Sequence, residues 1–262
     1  MQKGFTGHQL KLFAAGLMVL DHIAEMFPYL NIPIWFHMLG RLVLPIFLFM
    51  VVEGYIHTRD RKRYALRLLV GFWGMGIVSH LLQITLRMDD VVLMNNIFGT
   101  MFLSVVIMYS YDCFREKKWG MAFAAGLFPL FASILILASS MWDIPWLFTL
   151  FFTLLPGYLT VEGGVVVICL ALAFYVFRSS KAFQMLALIG VAFLTMGIGQ
   201  AGFDWTLLFT ANIQWMMAFA AIPLWFYNGQ RGKGSKWFFY GFYPGHIYAL
   251  YLLSYLVRPF FM

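Results

Sequence analysis

The strongest constraint on this chain is a succession of apolar runs joined by loops of only a few residues. About 20 consecutive apolar residues cross a bilayer as a helix, and there is material here for roughly nine or ten such crossings. Backbone in hydrocarbon must satisfy its own hydrogen bonds, so each run is expected to be helical. The expected fold class is therefore all-α: a polytopic transmembrane helix bundle over residues 1–262, one integral membrane domain with no soluble domain. Composition agrees. Hydrophobic residues make up 62% of the 262 and charged residues only 11%, against roughly 25% charged in a soluble domain. An ordinary soluble protein, a disordered chain and a disulfide-rich secreted domain are excluded.

The net charge of +7 does not point to nucleic acid. The basic residues sit in short clusters between apolar runs, as in the cytoplasmic loops of membrane proteins. Cys113 and Cys169 show neither a CxxC pattern nor metal-ligand spacing, so no disulfide framework and no metal are expected. The first apolar run, from Leu10, contains Asp21, His22 and Glu25 and lacks a small-residue cleavage site. It reads as a spanning helix rather than a signal peptide. Thr6-Gly7-His8-Gln9 has the pattern of a capping box at its start.

The spans are expected at Gln9–Tyr29, Pro33–His57, Tyr64–Leu86, Val91–Tyr111, Trp119–Ser139, Gly163–Phe177, Ala182–Gly202, Trp205–Tyr227 and Lys236–Val257. The basic clusters are Arg59/Arg61/Lys62/Arg63/Arg67, Arg115/Lys117/Lys118, Arg178/Lys181 and Arg231/Lys233/Lys236. Lys and Arg mark cytoplasmic loops. Three apolar segments lie between Lys118 and Arg178, which breaks parity unless one does not cross. Asp143–Thr160, with Pro145, Pro156 and Gly157, is the segment expected to be re-entrant or interfacial. This arrangement puts the N-terminus in the cytoplasm; ten plain spans are the alternative. No internal repeat is visible, which weighs against a transporter built from repeats.

A charge at the bilayer centre costs at least about 2.5–3.5 kcal/mol, so intramembrane ionisable groups point to function. Asp21 and Glu25 are spaced to share a helical face, with His22 beside them. Arg41 is the natural counter-charge. His22 suits a general base, since imidazole titrates near neutrality and a neighbouring carboxylate orients it. Asp21, adjacent in sequence, cannot share the exact helical face of His22, so Glu25 is the better expected orienter. His80, Asn95 and Asn96 are expected at similar depth, the asparagines as hydrogen bonds between helices. His246 follows Tyr243 and Pro244, where a proline frees backbone groups. The candidate catalytic set is thus His22, Asp21, Glu25, Arg41, His80 and His246. Each also has a purely structural reading, as a buried ion pair or a satisfied histidine.

Arg59, Arg61, Lys62, Arg63 and Arg67 form a dense basic loop. It serves as a topology determinant beside anionic lipid. It also suits a polyphosphate ligand arriving from the cytosol. Glu53 and His57, four residues apart, adjoin it. No P-loop, GxGxxG, HExxH or GxSxG motif is present.

Leu10-Lys11-Leu12 and Leu17-Met18-Val19-Leu20-Asp21-His22-Ile23 resemble the opening of the TraX family. So do Gly40-Arg41-Leu42-Val43-Leu44-Pro45-Ile46-Phe47 and Glu53-Gly54-Tyr55-Ile56-His57-Thr58-Arg59. Near the end, Tyr227-Asn228-Gly229-Gln230-Arg231-Gly232 and Phe238-Phe239-Tyr240-Gly241-Phe242-Tyr243-Pro244-Gly245-His246 resemble it too. The likeness runs nearly end to end and is weakest over Asp112 to Val161. It implies a multi-pass bacterial inner-membrane acetyltransferase like the family's conjugal-transfer pilin acetylase, with acetyl-CoA as donor. More distantly, the chain resembles multi-pass acyltransferases that pass acetyl groups from cytosolic acetyl-CoA across a membrane.

The expected function is transfer of an acetyl group from acetyl-CoA to an amine or hydroxyl acceptor at or across the membrane. The acceptor would be a peptide N-terminus, an amino sugar or a hydroxyl; pilin itself is not implied. His22 would be the base, or the acetylated nucleophile of a two-step route, and Arg41 an oxyanion partner. The basic loop with Glu53 and His57 would meet the donor. The alternative is a proton- or solute-coupled transporter, whose buried ionisable residues look the same. A third reading is a structural partner of a secretion or assembly system.

Overall fold

A computed structural model describes residues 4–94, 96–142, 144–198 and 205–261. Asn95, Asp143 and Gly202, named above, lie outside the described residues. The fold is all-α. Among the described residues the β features amount to one isolated bridge between Phe5 and Tyr227. The helices are α1 (Gly7–Met26), α2 (Trp35–Gly40), α3 (Val43–His57), α4 (Arg61–Thr85), α5 (Ile97–Arg115) and α6 (Trp119–Met141). They continue as α7 (Pro145–Leu154), α8 (Gly164–Val176), α9 (Lys181–Ile198), α10 (Ala221–Trp225) and α11 (Lys236–Val257). Among the described residues, four stretches are long and apolar enough to cross a membrane: Trp35–His57, Arg61–Thr85, Ile97–Arg115 and Trp119–Met141. Whole helix faces are apolar and exposed, as at Phe123, Leu127, Phe131 and Ile134 on α6. Water would penalise such a face and lipid does not, so the chain is a membrane protein.

Helix starts follow local chemistry. Thr6 Oγ accepts from the Gln9 amide at 3.3 Å while the Gln9 side chain accepts from the Thr6 amide at 2.9 Å, closing the expected capping box. The Asp60 carboxylate accepts from the Arg63 amide at 2.9 Å and so opens α4. Ser235 does the same for α11 through the Trp237 amide.

The expected span Pro33–His57 keeps its extent as the apolar stretch Trp35–His57 but is interrupted, and a second expected span is corrected. Pro33–His57 is not one continuous helix: it breaks between Gly40 and Val43. Pro45 has no N–H to give the Arg41 carbonyl, and its ring crowds that turn. The Arg41 amide still bonds the His37 carbonyl as in a helix, and the Leu42 amide then tightens onto the Leu39 carbonyl. Trp205–Tyr227 is not a spanning α-helix either. Its described structure is two 3₁₀ segments, Trp205–Leu207 and Gln214–Ala220, followed by the five-residue α10. The run is apolar, but Asn212 turns its amide back onto the Met196 carbonyl of α9, and the Trp215 indole N–H bonds the Leu208 carbonyl seven residues earlier.

The chain divides into two compact units. The first comprises Met1–Met50, Leu82–Leu93 and Ser179–Met262. Here α1 packs on α2 and α11, and α9 packs on Gln214–Ala220 and α10. Leu10, Ala14, Met26, Leu188, Met217, Ile247 and Tyr251 form its interior. The second comprises Val51–Leu81 and Met94–Arg178, with α5 against α6 and α8. Leu103, Val161 and Ile168 pack together at its core. Within it, α7 has ten residues, about 15 Å at 1.5 Å per residue, too short for a hydrocarbon core of roughly 30 Å. The chain after α7 is held against the middle of α6. The Tyr158 amide donates to the Pro129 carbonyl at 3.3 Å, and the Leu159 amide to Ser133 Oγ at 3.1 Å. Irregular backbone there is satisfied by protein, as lipid surroundings demand.

Candidate functional site

The first unit gathers the ionisable residues of α1, α2 and α11. Gly40 lets α2 approach α1: a Cβ there would overlap the Asp21 carboxylate. This close approach puts His37 Nδ1 2.7 Å from Asp21 Oδ1. An ionised carboxylate only accepts, so Nδ1 carries a proton, and in the neutral ring the lone pair lies on Nε2. Arg41 stands one turn beyond His37, with Nη2 3.9 Å from the same Asp21 oxygen. Its Nε donates to the His37 carbonyl and its Nη1 to Gln214 Oε1, each at 3.2 Å.

A second histidine pair adjoins on α1. His22 Nδ1 lies 2.8 Å from His246 Nε2. His246 Nδ1 sits 2.7 Å from the Phe242 carbonyl, which can only accept, so that nitrogen holds a proton. With neutral rings, His246 Nε2 must then accept from His22 Nδ1–H. The lone pair of His22 is left on Nε2, facing Glu25 Oε2 at 3.8 Å. These residues form two adjoining sets, Asp21–His37–Arg41 and Glu25–His22–His246, brought side by side by the neighbouring positions of Asp21 and His22 on α1. Arranged this way, they can accept a proton, pass one between rings and place a positive charge beside a developing anion.

Of the sequence candidates, Asp21, His22, Glu25, Arg41 and His246 meet here. His80 does not belong to this unit; it is exposed on α4 and makes no hydrogen bond or ion pair among the described residues. The Asn96 side chain bonds the Phe72 carbonyl, between two helices of the second unit as expected. His37 and Gln214 escaped the sequence reading. The signal for His37 was its spacing of four residues from Arg41, which puts both on one face.

In the second unit the basic loop is only partly free. Arg61 Nη1 donates to Asp112 Oδ2 at 2.7 Å, and Arg63 pairs with Asp60 at 3.0 Å. Arg67 buries its Nε without a hydrogen-bond partner among the described residues, and its guanidinium lies 5.8 Å from the Tyr64 ring. Arg59 and Lys62 are exposed and make no ion pair among the described residues. His57 Nδ1 donates to the Glu53 carbonyl at 2.9 Å and stands 3.9 Å from its carboxylate.

Asp112 is the other residue sequence reading passed over. Beyond Arg61 it accepts from the Tyr55 and Tyr175 hydroxyls, both at 2.8 Å. The two tyrosine rings meet edge to face, and Arg61 and Arg178 each cover one of them. Its signal was a lone acid at the end of an apolar run, level with basic loops. Among the described residues, no group of three or more His, Cys, Asp or Glu side chains is placed to hold a metal ion.

The model for the family described as TraX protein matches residues 6–254. The chain is also 28% identical over 259 residues, 94% of either chain, to the protein described as "Probable fimbrial assembly protein FimC, serogroup H1" of Dichelobacter nodosus. No solved structure matches it.

Proposed function

The chain belongs to the TraX family, and from that premise we propose that it is a membrane-embedded acetyltransferase. It moves an acetyl group from cytosolic acetyl-CoA to an amine or hydroxyl acceptor at or across the bilayer. The observation that carries this reading is the group formed by Asp21, His22, Glu25, His37, Arg41 and His246. A structural ion pair needs one cation and one anion. This group adds three imidazoles; in the neutral rings, the lone pairs on His22 Nε2 and His37 Nε2 accept no hydrogen bond among the described residues. Acetyl transfer requires a base for the acceptor proton and a donor for the tetrahedral oxyanion. An imidazole supplies the first and the Arg41 guanidinium the second.

Coenzyme A carries phosphates, and Arg and Lys are their usual partners. Arg59 and Lys62 fit that need best, because Arg61 and Arg63 are already paired to Asp112 and Asp60. The localisation that goes with this chemistry is the bacterial cytoplasmic membrane, with the N-terminus and the Arg59–Arg67 loop on the cytosolic side. The acceptor class includes a peptide N-terminus, which accords with the fimbrial assembly role in the relative's name.

The test is heat stabilisation of the detergent-purified chain by acetyl-CoA, with wild type beside Arg59→Ala/Lys62→Ala. A ligand at 100 times its Kd stabilises by about 2.7 kcal/mol. Concentration-dependent stabilisation that weakens in the variant supports the reading. No stabilisation at saturating acetyl-CoA overturns it, and proton-coupled flux in liposomes then becomes the measurement that tests the transporter alternative.

A further inference from the structure

We infer that His37 is the base that meets the acceptor, that Asp21 is its positioning residue, and that the His22–His246 pair stays in the interior. The inference rests on the acetyltransferase reading and says which imidazole does the work.

A general base must come within about 2.6–3.2 Å of the proton it removes. His22 is poorly placed for that. Its side chain is only 7% exposed, Nδ1 is taken by His246, and Nε2 faces the Glu25 carboxylate. The His37 side chain is 31% exposed. Its Nδ1 is bound to Asp21 at 2.7 Å, which fixes the ring and, in the neutral imidazole, places the lone pair on Nε2. Arg41 is 32% exposed, sits one turn along the same segment, and is anchored through the His37 carbonyl. Base and guanidinium are therefore held as one piece, on accessible surface, by backbone that breaks just after Gly40. An acceptor reaching this surface meets both groups together.

The step balances as follows. The acceptor N–H or O–H gives its proton to His37 Nε2 as nitrogen or oxygen attacks the thioester carbonyl. The carbonyl oxygen becomes an oxyanion beside Arg41. Collapse breaks the C–S bond, and the coenzyme A thiolate leaves with the proton from His37. Acetylated acceptor and free thiol result.

The experiment measures thiol release from acetyl-CoA by full-length chain in liposomes, with D-glucosamine and a tripeptide bearing a free N-terminus as acceptors. Wild type is compared with His37→Ala, His37→Gln, His22→Ala and Asp21→Asn. A positioned base contributes about 10²–10⁴-fold. His37→Ala and His37→Gln should lose at least 100-fold in kcat with the KM for acetyl-CoA unchanged. Added imidazole should restore part of the rate to His37→Ala, which a misfolded variant would not allow. Asp21→Asn should lower kcat without imidazole rescue, since its base is present but badly oriented. His22→Ala should lose clearly less in kcat than His37→Ala. If wild type releases thiol, and His37→Ala matches it while His22→Ala is inactive, the inference is overturned and the acetyltransferase reading stands. If wild type releases none with either acceptor, both fall.

Discussion

Replacing Asp112 should loosen the second unit, and the size of the effect follows from its three donors. The carboxylate is 17% exposed, Tyr55 is fully buried and Tyr175 is 4% exposed. In Asp112→Ala the hydroxyls of Tyr55 and Tyr175 lose their acceptor in a dry setting. Each buried group left unpaired costs about 1–3 kcal/mol. Arg61 adds little, because at 43% exposure water takes back most of what the ion pair contributes. The expected loss for alanine is about 4 kcal/mol, the middle of the range that two stranded hydroxyls allow. Asparagine keeps the shape and one acceptor oxygen, and a tyrosine hydroxyl can turn to accept from the amide, so about 1–2 kcal/mol is expected. Cys113 reports the change: it is the next residue on α5 and is buried, whereas Cys169 is exposed. In a Cys169→Ser background, maleimide labelling of Cys113 measures local opening. Every 1.4 kcal/mol is tenfold, so Asp112→Ala should label roughly 100-fold faster or more and Asp112→Asn about tenfold faster. Tyr55→Phe and Tyr175→Phe should each exceed Arg61→Ala. Equal labelling of wild type and Asp112→Ala, or an Arg61→Ala effect larger than either tyrosine, would refute this account of the cluster.

Other outcomes follow from the same geometry. Gly40→Ala drives a methyl into Asp21 and should abolish activity, while Gly16→Ala on α1, with open space around it, should be neutral or slightly stabilising; thermal unfolding in detergent separates them. Thr6→Ala removes the cap of α1 and should cost about 0.5–2 kcal/mol in denaturant titration, with Thr6→Ser close to wild type. Ser254→Ala takes a fully buried donor from the Met26 carbonyl and should lower stability by about 1–3 kcal/mol by the same titration. His246→Leu strands the His22 Nδ1–H and should destabilise the first unit by about 1–3 kcal/mol, while His246→Gln, whose amide oxygen can accept, should recover part of it.

Much of the framework was legible because it follows from local rules. The capping box at Thr6 and the bounds of α11 match the expectation residue for residue. So does the start of α6 at Trp119. The ten-residue α7 falls inside the stretch expected not to cross plainly. Hydropathy misled where apolar residues do not keep a helical period. It joined α2 to α3 across a break set by Gly40 and Pro45. It also read 3₁₀ turns and a short helix as a span between Trp205 and Tyr227.

The site shows the same division. Asp21, His22, Glu25 and Arg41 stand out in sequence because a charge in a bilayer must be compensated. That argument names the residues and does not pair them. The partner of Asp21 at hydrogen-bond distance is His37, with Arg41 further off. The partner of His22 is His246, 224 positions away.

What sequence alone determined was therefore the medium and the membership: helices in lipid, and the few polar residues whose cost demands an explanation. Both follow from transfer free energies that each residue carries wherever it sits. Tertiary structure decided which nitrogen faces which oxygen. That depends on a glycine admitting one helix to another, on a carbonyl fixing the tautomer of His246, and on two tyrosines and an arginine converging on Asp112. Such pairings are set by packing between segments distant in the chain, and no local pattern encodes them.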